Sequence, residues 1–140
     1  MVEGQISFEL KNNLSELEKL GKYVVEFARS LGISHKTIFQ LKFSMEEIFV
    51  NIISYGYPDQ EEHWIKVLIA HENSMLIMRI EDDGIPYNPL NSEPPDVGTP
   101  IENRKIGGLG IHLTKHLITD MAYSRCGDRN ILVLKKDLSC

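Results

Sequence analysis

Glu47 and Asn51 stand four residues apart, a spacing that sets a carboxylate one helical turn from a carboxamide on a single face. The surrounding stretch, residues 37–55, reads TIFQLKFSMEEIFVNIISY. At 100° per residue, Gln40, Ser44, Glu47, Asn51 and Ser54 fall in a sector roughly 80° wide. Apolar residues flank that sector on both sides, with Phe43, Phe49 and Val50 on one and Leu41, Ile48 and Ile52 on the other. A surface helix shows the reverse, a narrow apolar stripe and a broad charged face. Polar groups enclosed in this way need partners, because an unpaired buried charge is costly. The expected partner is a bound metal and its ligand, although the two side chains could also share a local hydrogen bond.

Two further clusters follow in order, Asp82-Asp83-Gly84-Ile85-Pro86 and Gly107-Gly108-Leu109-Gly110. Taken alone, Asp-Asp-Gly is a common turn. Gly-Gly-Leu-Gly ahead of a helix is either a flexible entry or a place where backbone N–H groups approach phosphate at the positive helix end. Neither G-x-x-x-x-G-K-[ST] nor G-x-G-x-x-G occurs. His112 and His116 have a spacing that can bind zinc, but no third ligand accompanies them and they fall on a polar face.

The elements that must position these groups are legible from periodicity. Residues 5–10 alternate as a strand through Ile6, Phe8 and Leu10. Asn13 and Glu16 form a capping-box pattern. Apolar residues then recur at Leu14, Leu17, Leu20, Val24, Phe27, Ala28 and Leu31, and Gly32 ends that helix. Ser34 is the expected cap of the striped helix, which Gly56 and Pro58 terminate. Residues 63–71 and 75–82 predict a hairpin turning at Glu72-Asn73-Ser74. In its second strand Leu76, Met78, Ile80 and Asp82 share the apolar face, which puts the Asp82 carboxylate at the rim of the core.

Residues 87–106 have no periodicity, and residues 86–100 hold five of the six prolines, as expected of a functional lid. A helix then buries Ile111, Leu113, Leu117 and Ile118, with His112, Lys115, His116 and Thr119 outward. Strands near 122–126 and 131–136, joined at Gly127-Asp128-Arg129-Asn130, complete the chain, with Cys126 read as a small apolar side chain. Trp64 and Tyr55 are read as core or rim residues. The expected fold class is α+β: a two-layer sandwich with three main helices on one face of a mixed, mainly antiparallel sheet, spanning residues 1–140 as one domain.

In combination, SMEEIFVNIISYGY, the Asp82-x-Gly84 box and the Gly107–Gly110 box resemble the ATP-binding boxes of the gyrase, Hsp90, histidine-kinase and MutL superfamily. The closest match is its branch of bacterial anti-sigma-factor serine/threonine kinases, and the resemblance covers almost the whole chain. It implies the Bergerat-type ATP-binding fold, with ATP and Mg²⁺ as cofactors. By position, Asn51 is then the Mg²⁺ ligand, where a neutral amide oxygen suits a hard cation surrounded by phosphate and water. Glu47 is the general base, and Asp82 the acceptor for the adenine amino group. Gly84 permits the turn beneath the base; Gly107, Gly108, Leu109 and Gly110 bring helix amides to the phosphates. Arg104 and Lys105 fall in the lid. Pro86 stands where many relatives have a second glycine, and Asn130 where they often carry a threonine supporting the adenine pocket. Glu46 points about 100° away from Glu47, as a flank or interface residue.

Composition sets outer limits. A chain of 140 residues, 42% hydrophobic and 25% charged, is long enough for a proper core. A net charge of −5 argues against direct nucleic-acid binding. No apolar run approaches the ~20 residues needed to cross a bilayer. Two late cysteines and an amino terminus without a secretory pattern fit the cytoplasm. The resemblance implies an ATP-dependent kinase acting on a STAS-type anti-sigma-factor antagonist, with a sigma factor as the second partner and a homodimer possible. A nucleotide-gated partner-switching module with little transfer is the alternative. A sensor histidine kinase fragment is disfavoured, because residues 13–32 contain no histidine.

Overall fold

The computed structural model describes residues 2–91 and 108–139. Strand β1 (Val2–Lys11) leads through a 3-10 turn (Leu14–Glu16) into helices α1 (Leu17–Ser30) and α2 (His35–Gly56). Strands β2 (Trp64–Glu72) and β3 (Met75–Asp82), a short 3-10 turn (Pro89–Asn91), helix α3 (Gly108–Leu117) and strands β4 (Asp120–Cys126) and β5 (Arg129–Asp137) complete the order. The sheet runs β1-β2-β3-β5-β4, and every pairing between neighbours is antiparallel. This is the expected α+β architecture. Among the described residues no helix is long and apolar enough to cross a membrane.

Period-two alternation decides which face of the sheet the helices cover. Ile65, Val67 and Ile69 of β2, Leu76, Met78 and Ile80 of β3, and Leu132 and Leu134 of β5 are all buried. They meet Leu20, Val24 and Ala28 of α1 and Leu41, Met45, Ile48, Phe49 and Ile52 of α2 in one continuous core. Helix α2 packs against both α1 and α3. That central place explains why its apolar residues flank the polar stripe instead of forming one narrow seam.

Local signals act as their chemistry dictates. The Asn13 side chain accepts from the Ser15 N–H, although the turn it caps is 3-10, so Leu14 lies outside α1 and is 53% exposed. Gly32, at φ 73°, closes α1: its N–H reaches the Arg29 carbonyl and that of Ile33 the Ala28 carbonyl, the Schellman arrangement. The Ser34 side chain accepts from Thr37 N–H and caps α2. Asn73 and Ser74 both take positive φ, giving the two-residue turn that matches the twist of the β2–β3 hairpin.

Three expectations need correction. Leu113 is 47% exposed while Thr114 is fully buried, because α3 turns its Ile111–Thr114–Ile118 row toward the core. Cys126 is exposed, since it ends the edge strand β4. Trp64 stands half exposed beside Lys11, whose ammonium lies 5.7 Å from the ring centroid.

Candidate functional site

The striped face of α2 supplies the first wall. Ser44 is fully buried and Asn51 is 2% exposed, while Glu47 is half-buried between them. The Asn51 amide group donates to the Glu47 backbone carbonyl at 2.8 Å. This bond occupies the amide nitrogen and leaves the carboxamide oxygen to another partner. That oxygen accepts a bond from the Tyr87 hydroxyl at 3.2 Å.

The end of β3 supplies the second wall. Asp82, 3% exposed, accepts on Oδ1 from Gly84 N–H at 2.9 Å and from Asn130 Nδ2 at 2.9 Å. Asn130 is its neighbour because the β3–β5 register sets the two residues opposite one another. Burial pushes the Asp82 carboxyl above the usual carboxylate range, and the Asp83 charge adds to this; the bonds from Asn130 and Gly84 oppose it without cancelling it. Both donors fall on Oδ1, and neither is directed at Oδ2.

Gly84 is required for space, not for an unusual backbone angle. A Cβ there would lie 2.5 Å from the Gly56 carbonyl oxygen and 3.0 Å from Asp82 Oδ1. The same carbonyl accepts from Ile85 N–H at 2.9 Å, which pins the turn to the last residue of α2. Arg125 Nη1 donates to the Gly84 carbonyl at 2.8 Å. Asp83 diverges from Asp82 toward Tyr57, whose hydroxyl donates to it at 3.3 Å, and toward the His63 ring at 3.2 Å.

The third wall is α3. Gly108, Leu109 and Gly110 form its first turn, and Gly107 lies outside the described residues, as do Arg104 and Lys105. A Cβ at Gly110 would come within 2.7 Å of Glu47 Cγ and would overlap the carboxylate itself. Gly110 therefore has a function the motif did not suggest: it makes room for Glu47 against the α3 backbone. Burial, with a smaller contribution from the Glu46 charge, raises the Glu47 carboxyl above its ordinary range. Glu46 itself pairs with Lys42 at 3.1 Å and borders Gly21 of α1, as a flank residue.

The structure thus brings together Glu47, Asn51, Asp82, Gly84 and Gly110, residues from three separate segments. His112 and His116 form no part of this group: the His116 ring bonds the His112 carbonyl at 2.8 Å. Two further residues take part: Asn130, which only the resemblance had set at the adenine pocket, and Tyr87, which the sequence had not singled out. Asn130 is 4% exposed and donates to Asp82 and to the Ile85 carbonyl, while its oxygen accepts from Tyr87 N–H and the Tyr123 hydroxyl. Tyr87 carries one faint signal, being the single aromatic in residues 87–106.

The fold and the three converging boxes define a protein of the histidine-kinase-like ATPase class. The family model for the histidine kinase-like ATPase domain matches residues 10–136, and the chain belongs to that family. Among individual proteins, serine-protein kinase RsbW of Bacillus anthracis is 27% identical over 112 residues, covering 77% of this chain and 69% of the relative. RsbW of Listeria monocytogenes is 29% identical over 98 residues, covering 67% of this chain and 62% of the relative. The solved RsbU and RsbW domains of a Mycobacterium tuberculosis protein superpose with a TM-score of 0.66 at 12% identity, over 96% of this chain and 32% of that one. The Acinetobacter baumannii histidine kinase AdeS gives 0.54 at 13% identity, over 98% and 68%. At such identity these structures speak for the fold.

Proposed function

We propose that this protein binds ATP with Mg²⁺ and transfers the terminal phosphoryl group to a serine or threonine of a small STAS-type antagonist. A sigma factor is its alternative partner in the cytoplasm. The observation that carries this reading is the seating of the Glu47 carboxylate against Gly110, one turn from the Asn51 carboxamide, whose nitrogen is held by the Glu47 carbonyl. Membership of the ATPase family and similarity to relatives named serine-protein kinases support it.

Each residue has a defined task. Asp82 Oδ2 accepts from the adenine amino group, and Asn130 and Gly84 hold that carboxylate in place. The first amides of α3, unpaired within the helix, face an anion favourably. Asn51 Oδ1 is a hard, neutral oxygen donor whose direction is already set by the bond to Glu47, which fits a magnesium ligand. When bound, the ion would neutralise phosphate charge, and most of the catalysis in such transfers is positioning and electrostatics. Glu47, whose carboxyl burial raises above its ordinary range and so makes more basic, is suited to accept the proton of a substrate hydroxyl. A phosphate added to the antagonist would weaken docking by repulsion and desolvation.

Single-turnover transfer from labelled ATP to the cognate antagonist tests the proposal; nucleotide binding without any phosphoprotein would leave a nucleotide-gated binding module in its place. Asn51→Ala should cost roughly 10- to 100-fold in Mg²⁺-supported ADP affinity, at least the loss seen when a metal ligand's supporting partner is removed. Calorimetry with and without Mg²⁺ reads this directly. An unchanged magnesium contribution in the variant would remove Asn51 from the metal site.

A further inference from the structure

A single hydrogen-bonded chain joins the two ends of the site. Asp82 Oδ1 accepts from Asn130 Nδ2 at 2.9 Å, Asn130 Oδ1 accepts from Tyr87 N–H at 3.3 Å, and the Tyr87 hydroxyl donates to Asn51 Oδ1 at 3.2 Å. The last link falls on the atom assigned above to the metal. We infer that the Tyr87 hydroxyl competes with a divalent cation for the Asn51 carboxamide oxygen, so that Tyr87 sets how strongly nucleotide binding depends on metal. The inference rests on the magnesium reading of the site.

The contact is built into the fold at both ends. On one side the carboxamide cannot offer its other face, because Nδ2 is held by the Glu47 carbonyl at 2.8 Å. On the other, Tyr87 is anchored through its backbone by Asn130, and its ring packs against Tyr55 with centroids 5.4 Å apart. Asn51 is buried, so the phenol meets its oxygen away from bulk water. A hydroxyl donating to an oxygen aims the positive end of its dipole at that atom, and a cation requires the same negative density. The oxygen has two lone pairs, but a cation on one of them draws off the density the phenol proton uses and repels that proton, so the Tyr87 bond and the metal contact weaken each other.

The expected effect follows from the net worth of one such bond. Tyr87→Phe keeps the ring and its packing on Tyr55 and removes the hydroxyl that donates to Asn51. It should raise ADP affinity in Mg²⁺ by roughly 2- to 10-fold and leave affinity in EDTA unchanged. Titration calorimetry of wild type and Tyr87→Phe, each with ADP plus Mg²⁺ and ADP plus EDTA, gives the metal-dependence ratio for both. A larger ratio in the variant supports the inference. An unchanged ratio, or equal shifts in both conditions, overturns it in favour of a packing role. A smaller ratio overturns it in favour of a hydroxyl that helps position the ligand. No nucleotide binding by wild type would overturn the ATP-site reading itself, which is a distinct result.

Discussion

Glu47→Gln is expected to abolish phosphoryl transfer, by roughly 10²- to 10⁴-fold in single-turnover rate, while nucleotide affinity stays close to wild type. The exchange keeps shape and hydrogen-bonding reach and removes only basicity. Burial and the adjoining Glu46 charge raise the Glu47 carboxyl, so the transfer rate of wild type should fall as pH drops through that raised value. The glutamine variant should lose this acid limb.

Gly110→Ala provides a second route to the same conclusion. The new methyl would sit 2.7 Å from Glu47 Cγ and force the carboxylate to swing off the α3 backbone. Transfer should collapse with the base still present in the chain. A Glu47→Gln variant that phosphorylates normally would remove Glu47 as the general base. Normal transfer by Gly110→Ala would show that the observed carboxylate position is not the working one.

The second large effect concerns Asp82→Asn. Two donors, Gly84 N–H and Asn130 Nδ2, converge on Oδ1, so an asparagine must present its own oxygen to them. Its NH₂ group then takes the place of Oδ2, where it would meet the adenine amino group donor against donor. Loss of a bond to a charged acceptor predicts roughly a 10- to 100-fold drop in ATP affinity and loss of preference for ATP over GTP. Competition binding with the two nucleotides measures both. Equal affinity of wild type for ATP and GTP would undo the adenine assignment.

The same substitution has a signature in stability. Because the Asp82 carboxyl is raised on folding, the native state holds this proton to higher pH than the unfolded chain does. Stability is therefore lost as pH climbs from the ordinary aspartate value through the raised one. Asp82→Asn removes a buried ionisation and should flatten that decline in thermal melts across the acid range. A variant that loses stability in parallel with wild type would assign the decline to another group.

Much of this architecture was legible from residue order. The polar sector of α2 follows from helical period alone, and so do its cap at Ser34 and the break after Gly56. Alternation placed Asp82 on the buried face of its strand, where it lies. Other details were not legible. Leu14 belongs to the periodic pattern yet lies exposed in a 3-10 turn, and Leu113 faces solvent while Thr114 is enclosed. For helices as short as α3, periodicity leaves the rotation undetermined, and packing against α2 decides it.

Sequence by itself determined the class of protein, the order of its elements and the identity of the polar groups, because cap, period and turn are properties of a few neighbouring residues. Only the tertiary structure decided how those groups are held. The Asn130–Asp82 pair follows from β3–β5 register across 48 residues, and the Tyr87–Asn51 bond spans 36. The clearance for Glu47 over Gly110 depends on how closely two helices approach. Contacts of this kind depend on closing long loops of chain, and no local pattern encodes which side chains the closure brings face to face.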